Sequence, residues 1–536
     1  APAVSELSVR LTEGTVDECR VRLDSQQVSV KSVLLNRGGY SYLTGPAVPG
    51  KEKQEAAPVP GGSTPSLPWT VRVGSVVLDD NRAEYGLLNH RPAAGFDPSF
   101  IVLSTLDLAV DSIYNRGADI ALQIRRMAFT ERSGLTVSDM TGDIGMDASG
   151  ISLAGVTLKT PFSRIEANIS AGEGILALAP DSPLKADLMA DVNTKDLKYL
   201  YPALIPPVLD GRIVSLALTA AGTLGDIGKA GLDISSPGHV AFTADGAARN
   251  VLDPGRMEAS ARFEGDFRDM AFLEALLPDS ALRRRIAIPD RIRLRGTAGA
   301  DKGAFSAAST LSTDGGEIAL QGRLDTRSEA YGIELRCDSF PLNSFLPADS
   351  LGLLDLALQA GGSGFDPLRA QTRGNIRLQV DRAEFRGRDF GGVKLNANLE
   401  GGQLSGRLSD RDEALRLLLL ISGTLTERKQ EVRLTGNVFD FDLAELGISP
   451  QKIGGSFALE AGASASDAGS YTARIALDSI EVRTRHRTDR IRPTSLSLSS
   501  DTTATRAKLA SGDLSLAFVS PGPVDSLVPA LTRSTD

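Results

Sequence analysis

Apolar and polar residues alternate along most of the chain. Leu7-Ser8-Val9-Arg10-Leu11 opens the pattern, and it returns at Ile376/Leu378/Val380, Val393/Leu395/Ala397/Leu399, Val432/Leu434 and Leu514/Leu516/Phe518. Successive side chains of a strand point to opposite faces, so this alternation predicts half-buried antiparallel strands with one apolar face. Turn residues end the runs about every ten residues, the spacing of short strands joined by tight turns. Gly401-Gly402, between two such runs, predicts a hairpin. Helical spacing is confined to short clusters, so the chain reads as mostly β with a few short helical turns.

The pattern repeats over longer distances. Leu216-Ala217-Leu218-Thr219-Ala220 returns as Leu356-Ala357-Leu358-Gln359-Ala360 and as Phe457-Ala458-Leu459-Glu460-Ala461, each followed at the same offset by an acid: Asp226, Asp366 and Asp467. A second element is an apolar cluster at helical spacing closed by proline, as in Asp196–Pro202, Phe272–Pro278 and Leu342–Pro347. Leu443–Leu446, with Pro450 after it, is a looser copy. Proline cannot continue a helix, so each cluster predicts a turn or two of helix before the next strand. The same element begins again at Val524–Pro529, which leads us to expect that the native protein continues beyond this sequence. The chain then divides into an N-terminal β segment (1–44) belonging to a preceding repeat, a linker rich in Pro, Gly, Lys and Glu (45–68), a β-repeat unit (69–175), continuous β repeats (176–520) and the truncated start of a further repeat (521–536). The linker lacks either period and is expected to be flexible.

Composition narrows the function. Of 536 residues, 41% are hydrophobic and 23% charged, enough to bury a core and too apolar for general disorder. A net charge of −9 argues against a binder of nucleic acid. With 3 His and 2 Cys, neither a zinc scaffold nor a disulfide framework is expected. The longest aliphatic run, Leu417–Ile421, is about a quarter of the ~20 residues that cross a bilayer. His90, His239 and His486 are far apart and read as surface or turn residues, and Asp410 and Asp412 as a solvated turn. No phosphate loop and no nucleophile elbow occurs. We therefore expect no enzyme, no metal and no cofactor.

Three passages carry a resemblance to a known family: Phe96–Leu108, Leu122–Ser163 and Gly374–Leu425. In the style of their repeating strands they resemble the TamB and AsmA-like envelope proteins of Gram-negative bacteria, with TamB-like sequences of Bacteroidetes nearest. The resemblance implies a long periplasmic β-structure, anchored in the inner membrane by an N-terminal helix in the full-length protein and curled into an open hydrophobic groove. It further implies passage of phospholipid between the inner and outer membranes, support for outer-membrane assembly, and an outer-membrane partner of the Omp85 type. Membrane contact would come through regions outside this sequence, since neither the anchor helix nor the family's C-terminal domain is recognisable in it.

The strands allow two solutions. About 30 strands in one ladder at ~4.8 Å spacing would make a sheet roughly 140 Å long. A flat sheet of that size would leave an apolar face in water. The face can be covered by folding into sandwiches, or the sheet can curl so that the face lines a trough able to hold acyl chains. Both solutions write the same alternation. Small residues at inner positions (Ala220, Ala360, Ala397 and Ala461) favour the trough by leaving room in it. A membrane barrel is disfavoured, because such barrels carry aromatic girdles and Trp69 is the single tryptophan. In the trough reading Leu216, Leu218, Leu356, Leu358, Ile376, Leu378, Leu395, Phe457 and Leu459 line the groove. Arg483, Arg485 and Arg487, alternating along an expected strand, would share one face and either meet phosphates at the groove's rim or an acidic partner, or form a solubilising outer face that blocks edge pairing. Arg283–Arg285 with Arg291, Arg293 and Arg295 form a second basic cluster, which has the same readings. The competing function is a structural or adhesive array of β-sandwiches, or a scaffold for outer-membrane protein assembly, without lipid.

Overall fold

A computed structural model describes residues 5–45, 69–88, 90–172, 179–202, 205–277, 279–466 and 470–523. Positions 46–68 of the linker, Pro278, Asp467 and the repeat start at Val524–Pro529 lie outside the described residues. The chain is 68% strand and 6% helix. Among the described residues no helix is long and apolar enough to cross a membrane. Contacts divide the chain into two units, Ala1–Leu276 and Leu277–Asp536.

In the first unit the sheet is mixed rather than purely antiparallel. Strand Thr70–Leu87 is long enough to lie parallel to two strands in succession, Gln27–Asn36 and then Gly39–Thr44. Asn81, 1% exposed, holds the step between those two strands. Its Oδ1 accepts from the Gly38 N–H at 2.8 Å and the Tyr40 hydroxyl at 3.2 Å, while its amide donates to the carbonyls of Leu35 and Asp79, both at 2.9 Å. Every polar atom of this buried side chain is thus satisfied. From Thr70–Leu87 onward each strand pairs antiparallel with the next, out to Glu258–Arg268.

The second unit is an antiparallel meander from Arg291–Asp301 to Leu514–Pro521. Two short strands interrupt the nearest-neighbour order. Arg373–Phe385 pairs with both Arg388–Phe390 and Val393–Glu400, and Tyr471–Arg483 pairs with both Thr488–Ile491 and Thr494–Ser500. The expected hairpin is present: Glu400 faces Gln403 across Gly401 and Gly402, whose φ values are +59° and +73°. Two adjacent residues at positive φ make the tight turn whose twist matches the flanking strands.

The helical clusters sit between repeats as expected. They form helix Thr194–Leu200 and the 3₁₀ turns Met270–Leu276, Leu342–Ser344 and Pro347–Asp349. Each lies against the ends of strands. Phe345 stacks on the buried Phe340 at 5.1 Å, and the Arg212 guanidinium lies 3.6 Å from the Phe272 ring centroid. Asn193 caps the helix by accepting from the Lys195 N–H, and Asp196, buried beneath it, takes hydroxyl hydrogen bonds from Thr160 and Ser163.

In each unit the sheet is open and uncurled. The mostly β, repeat-built, open sheet expected from the alternation is therefore present, without the expected curl. Few apolar side chains reach full burial: Cys337, Phe340, Ala414, Leu419, Val438 and Ala504 do so in the second unit. A sandwich core would seal many more.

Candidate functional site

Because strands alternate and register is kept from strand to strand, apolar residues fall into rows running across the sheet. In the second unit one row is leucine on seven consecutive strands: Leu320, Leu335, Leu358, Leu378, Leu395, Leu408 and Leu419. Gly436 interrupts it, and Leu459 and Leu477 resume it. Six strand steps at ~4.8 Å make the unbroken part about 29 Å long. Leu335, Leu358, Leu378, Leu395 and Leu408 are half-buried, shielded by their neighbours in the sheet and still open above.

The adjoining row mixes bulky and small residues: Ile333, Ala360, Ile376, Ala397, Gly406 and Ile421. It continues through Leu434 and Ala461. Leu356 lies in the row on the other side, between Cys337 and Val380, and Phe457 pairs with Val438. Seven of the nine apolar candidates thus share one face of one unit. Leu216 and Leu218 belong to the first unit. There Leu216 pairs with Ala190 and Ile234, Leu218 with Leu188 and Leu232, and Ala220 sits in a row of small residues with Ala186 and Ala230.

The basic candidates are not brought together as expected. Strand Tyr471–Arg483 ends at Arg483, residues 484–487 form a turn closed by the Thr484 N–H on the Arg487 carbonyl, and Arg485 lies in that turn. The three side chains therefore do not alternate along one strand. Arg483 pairs with Asp440, and Arg487 with Asp489 at 2.7 Å. In the other cluster Arg285 meets Asp349 at 3.1 Å and Arg293 meets Asp314 at 3.6 Å.

Of two buried acids, Asp410 and Asp97, the first differs from its reading as a solvated turn residue. Asp410 is in strand Gln403–Arg411, opposite Leu417, and shares the face of Leu404 and Leu408; it is 8% exposed. Burial pushes its carboxyl above the ordinary carboxylate value, and the neighbouring Asp412 adds to the effect, while the Asp412 N–H donates to it at 2.9 Å. Asp97 is also buried, although the loop around it is solvated. The Ala93 N–H and His90 Nε2, at 2.9 and 2.7 Å, hold its carboxyl down at about 2. Hydrogen bonds outweigh desolvation there because every one of them goes to the charged form. Neither acid was marked by its neighbours in sequence, although the Asp97-Pro98-Ser99 turn, with the Ser99 N–H on Asp97, is a familiar local pattern.

Among the described residues no group of three or more His, Cys, Asp or Glu side chains is placed to hold a metal ion. Cys19 is exposed and Cys337 buried, both as free thiols. Comparison with family models, curated proteins and solved structures gives no match.

Proposed function

We propose that this chain is a non-enzymatic envelope protein whose apolar sheet face shields lipid acyl chains during phospholipid transfer between the inner and outer membranes of a Gram-negative bacterium. The observation that carries this reading is the row of seven leucines on consecutive strands, of which five are half-buried, Leu320 is exposed and Leu419 alone is buried. At about 29 Å the row matches the ~30 Å hydrocarbon thickness of a bilayer, so two acyl chains laid end to end would fit along it. Each half-covered leucine retains roughly 1 kcal/mol of unrealised burial, which a bound chain would supply without any specific contact. The small residues Ala360, Ala397 and Gly406 in the next row leave shallow places beside the leucines for a flexible chain.

The resemblance of Phe96–Leu108, Leu122–Ser163 and Gly374–Leu425 to TamB and AsmA-like proteins supports the same reading. It adds a periplasmic location, an inner-membrane anchor in the full-length protein and an Omp85-type partner in outer-membrane assembly to the proposal. Native mass spectrometry with lipid extraction tests it. The purified chain is expected to carry phospholipid, and replacing Leu378 and Leu395 together by Asp is expected to remove it while leaving the far-ultraviolet circular dichroism unchanged. A lipid-free wild-type chain, or a double variant that keeps its lipid, would overturn the reading in favour of a scaffold.

A further inference from the structure

The opposite face of the second unit carries a concavity of about 530 Å³. Its polar part is built by two neighbouring rows on four strands, which Ser306, Ala308 and Thr297 continue onto the two strands before them. One row reads Gln321, Glu334, Gln359 and Arg377. The next, two residues along each strand, reads Arg323, Gly332, Gly361 and Asn375. Gly332 and Gly361 are cross-strand partners, and with no side chain between them they form the floor. A Cβ at Gly332 would stand 2.8 Å from Arg323 Nε, so the arginine lies across this glycine and into the cleft. Neither Arg323 nor Arg377 has an ion-pair or hydrogen-bond partner among the described residues. Arg382, Arg388 and Arg433 on nearby strands, by contrast, each have an acid beside them.

We infer that this cleft is a binding site for an acidic saccharide. A guanidinium matches a carboxylate with two parallel N–H donors. Gln321, Gln359 and Asn375 each offer a donor and an acceptor, as a sugar hydroxyl does, and Glu334 accepts from further hydroxyls. Two arginines against one glutamate leave the cleft a net charge of +1, which selects against neutral sugars. No aromatic ring lines it, which removes the stacking surface that a nucleobase would use. The glycine floor admits a pyranose ring edgewise without a clash. A peptide ligand would find no apolar pocket here and no unpaired strand edge, since all four strands are paired on both sides. The site faces away from the leucine rows and does not rest on the lipid reading.

Isothermal titration calorimetry on the full chain tests the inference with three probes: a galacturonate trimer, neutral maltotriose and a triaspartate peptide. The galacturonate trimer is expected to bind saturably at one site and at least tenfold more tightly than either other probe. Replacing both arginines (Arg323→Gln with Arg377→Gln) is expected to weaken it at least tenfold. Gly332→Ala, which keeps both charges but displaces Arg323, should weaken it several-fold, whereas Arg433→Gln on the same face outside the cleft should leave it unchanged. Unchanged melting curves of the arginine variants keep a loss of binding separate from a loss of fold. No saturable heat with galacturonate, equal affinity for maltotriose, tighter binding of triaspartate, or affinity indifferent to the arginines would each overturn it.

Discussion

At the scale of single residues, stability rests on a few buried polar groups whose partners come from distant strands. Asn81 makes four hydrogen bonds at the step between two parallel pairings. Replacing it with Ala orphans the Gly38 N–H and two carbonyls at once, and leaving such groups buried and unpaired costs about 2 kcal/mol or more. The expected outcome is a lower urea midpoint for the first unit, with the second unit unmoved. Asp410 works in the other direction. Its raised carboxyl favours the neutral form in the folded chain, so its contribution is fully present below the ordinary value of 3.8 and is withdrawn as pH rises through the raised value. Asp410→Asn keeps an acceptor for the Asp412 N–H and removes the charge. Its melting temperature should exceed that of the wild type at pH 7, and the two should converge below pH 3. Nothing in the local sequence distinguishes these residues. Asn81 follows two aspartates in a polar stretch and Asp410 precedes Arg411, so their burial is set by register with strands far along the chain.

Elements were largely legible, because a strand writes its own two-residue period and a tight turn its own glycines. The Gly401-Gly402 hairpin, the repeated strands Ile213–Thr223, Leu351–Ser363 and Gly454–Ser466, and the helical turns at Asp196–Pro202, Phe272–Leu277 and Leu342–Pro347 stand where the pattern puts them, while Leu443–Leu446 is a turn without a helix. The arginines at 483–487 were misplaced for a physical reason. Alternating charges continue the two-residue period through a turn as readily as along a strand, and Thr484, whose backbone and hydroxyl close the turn, carries no stronger signal than a strand threonine. The parallel pairings of Thr70–Leu87 left no local trace at all, since parallel partners are chosen by long-range register. The hairpin turn gives a direct prediction. Open space surrounds the Cβ position of Gly401, so Gly401→Val meets no clash and reports only the cost of φ +59° for a branched residue, about 1–2 kcal/mol. Gly401→Asn should recover most of that loss in the same denaturation experiment, because Asn tolerates the left-handed region.

At the scale of the molecule, the alternation fixes a two-faced sheet in each unit and leaves the use of each face to register. Sequence periodicity showed that Leu358, Leu378, Leu395 and Leu459 belong to apolar faces. Only strand register shows that they line up as one row, and that Arg323 and Arg377 converge on a glycine floor behind it. The choice between a curled trough and closed sandwiches could not be read from the sequence, since both bury the same positions; in each unit the structure is instead an open sheet, and in the second most of the leucine row stays half-covered. The central claim is that this face, and not its reverse, meets lipid. Adjacent positions test it most directly, because Leu395 and Asn396 share a strand and point to opposite sides. A benzophenone amino acid placed at each position in turn, irradiated in cells and followed by mass spectrometry of adducts, should give phospholipid adducts at 395 and none at 396. Absence of adducts at 395, or equal yields at the two positions, would contradict the account.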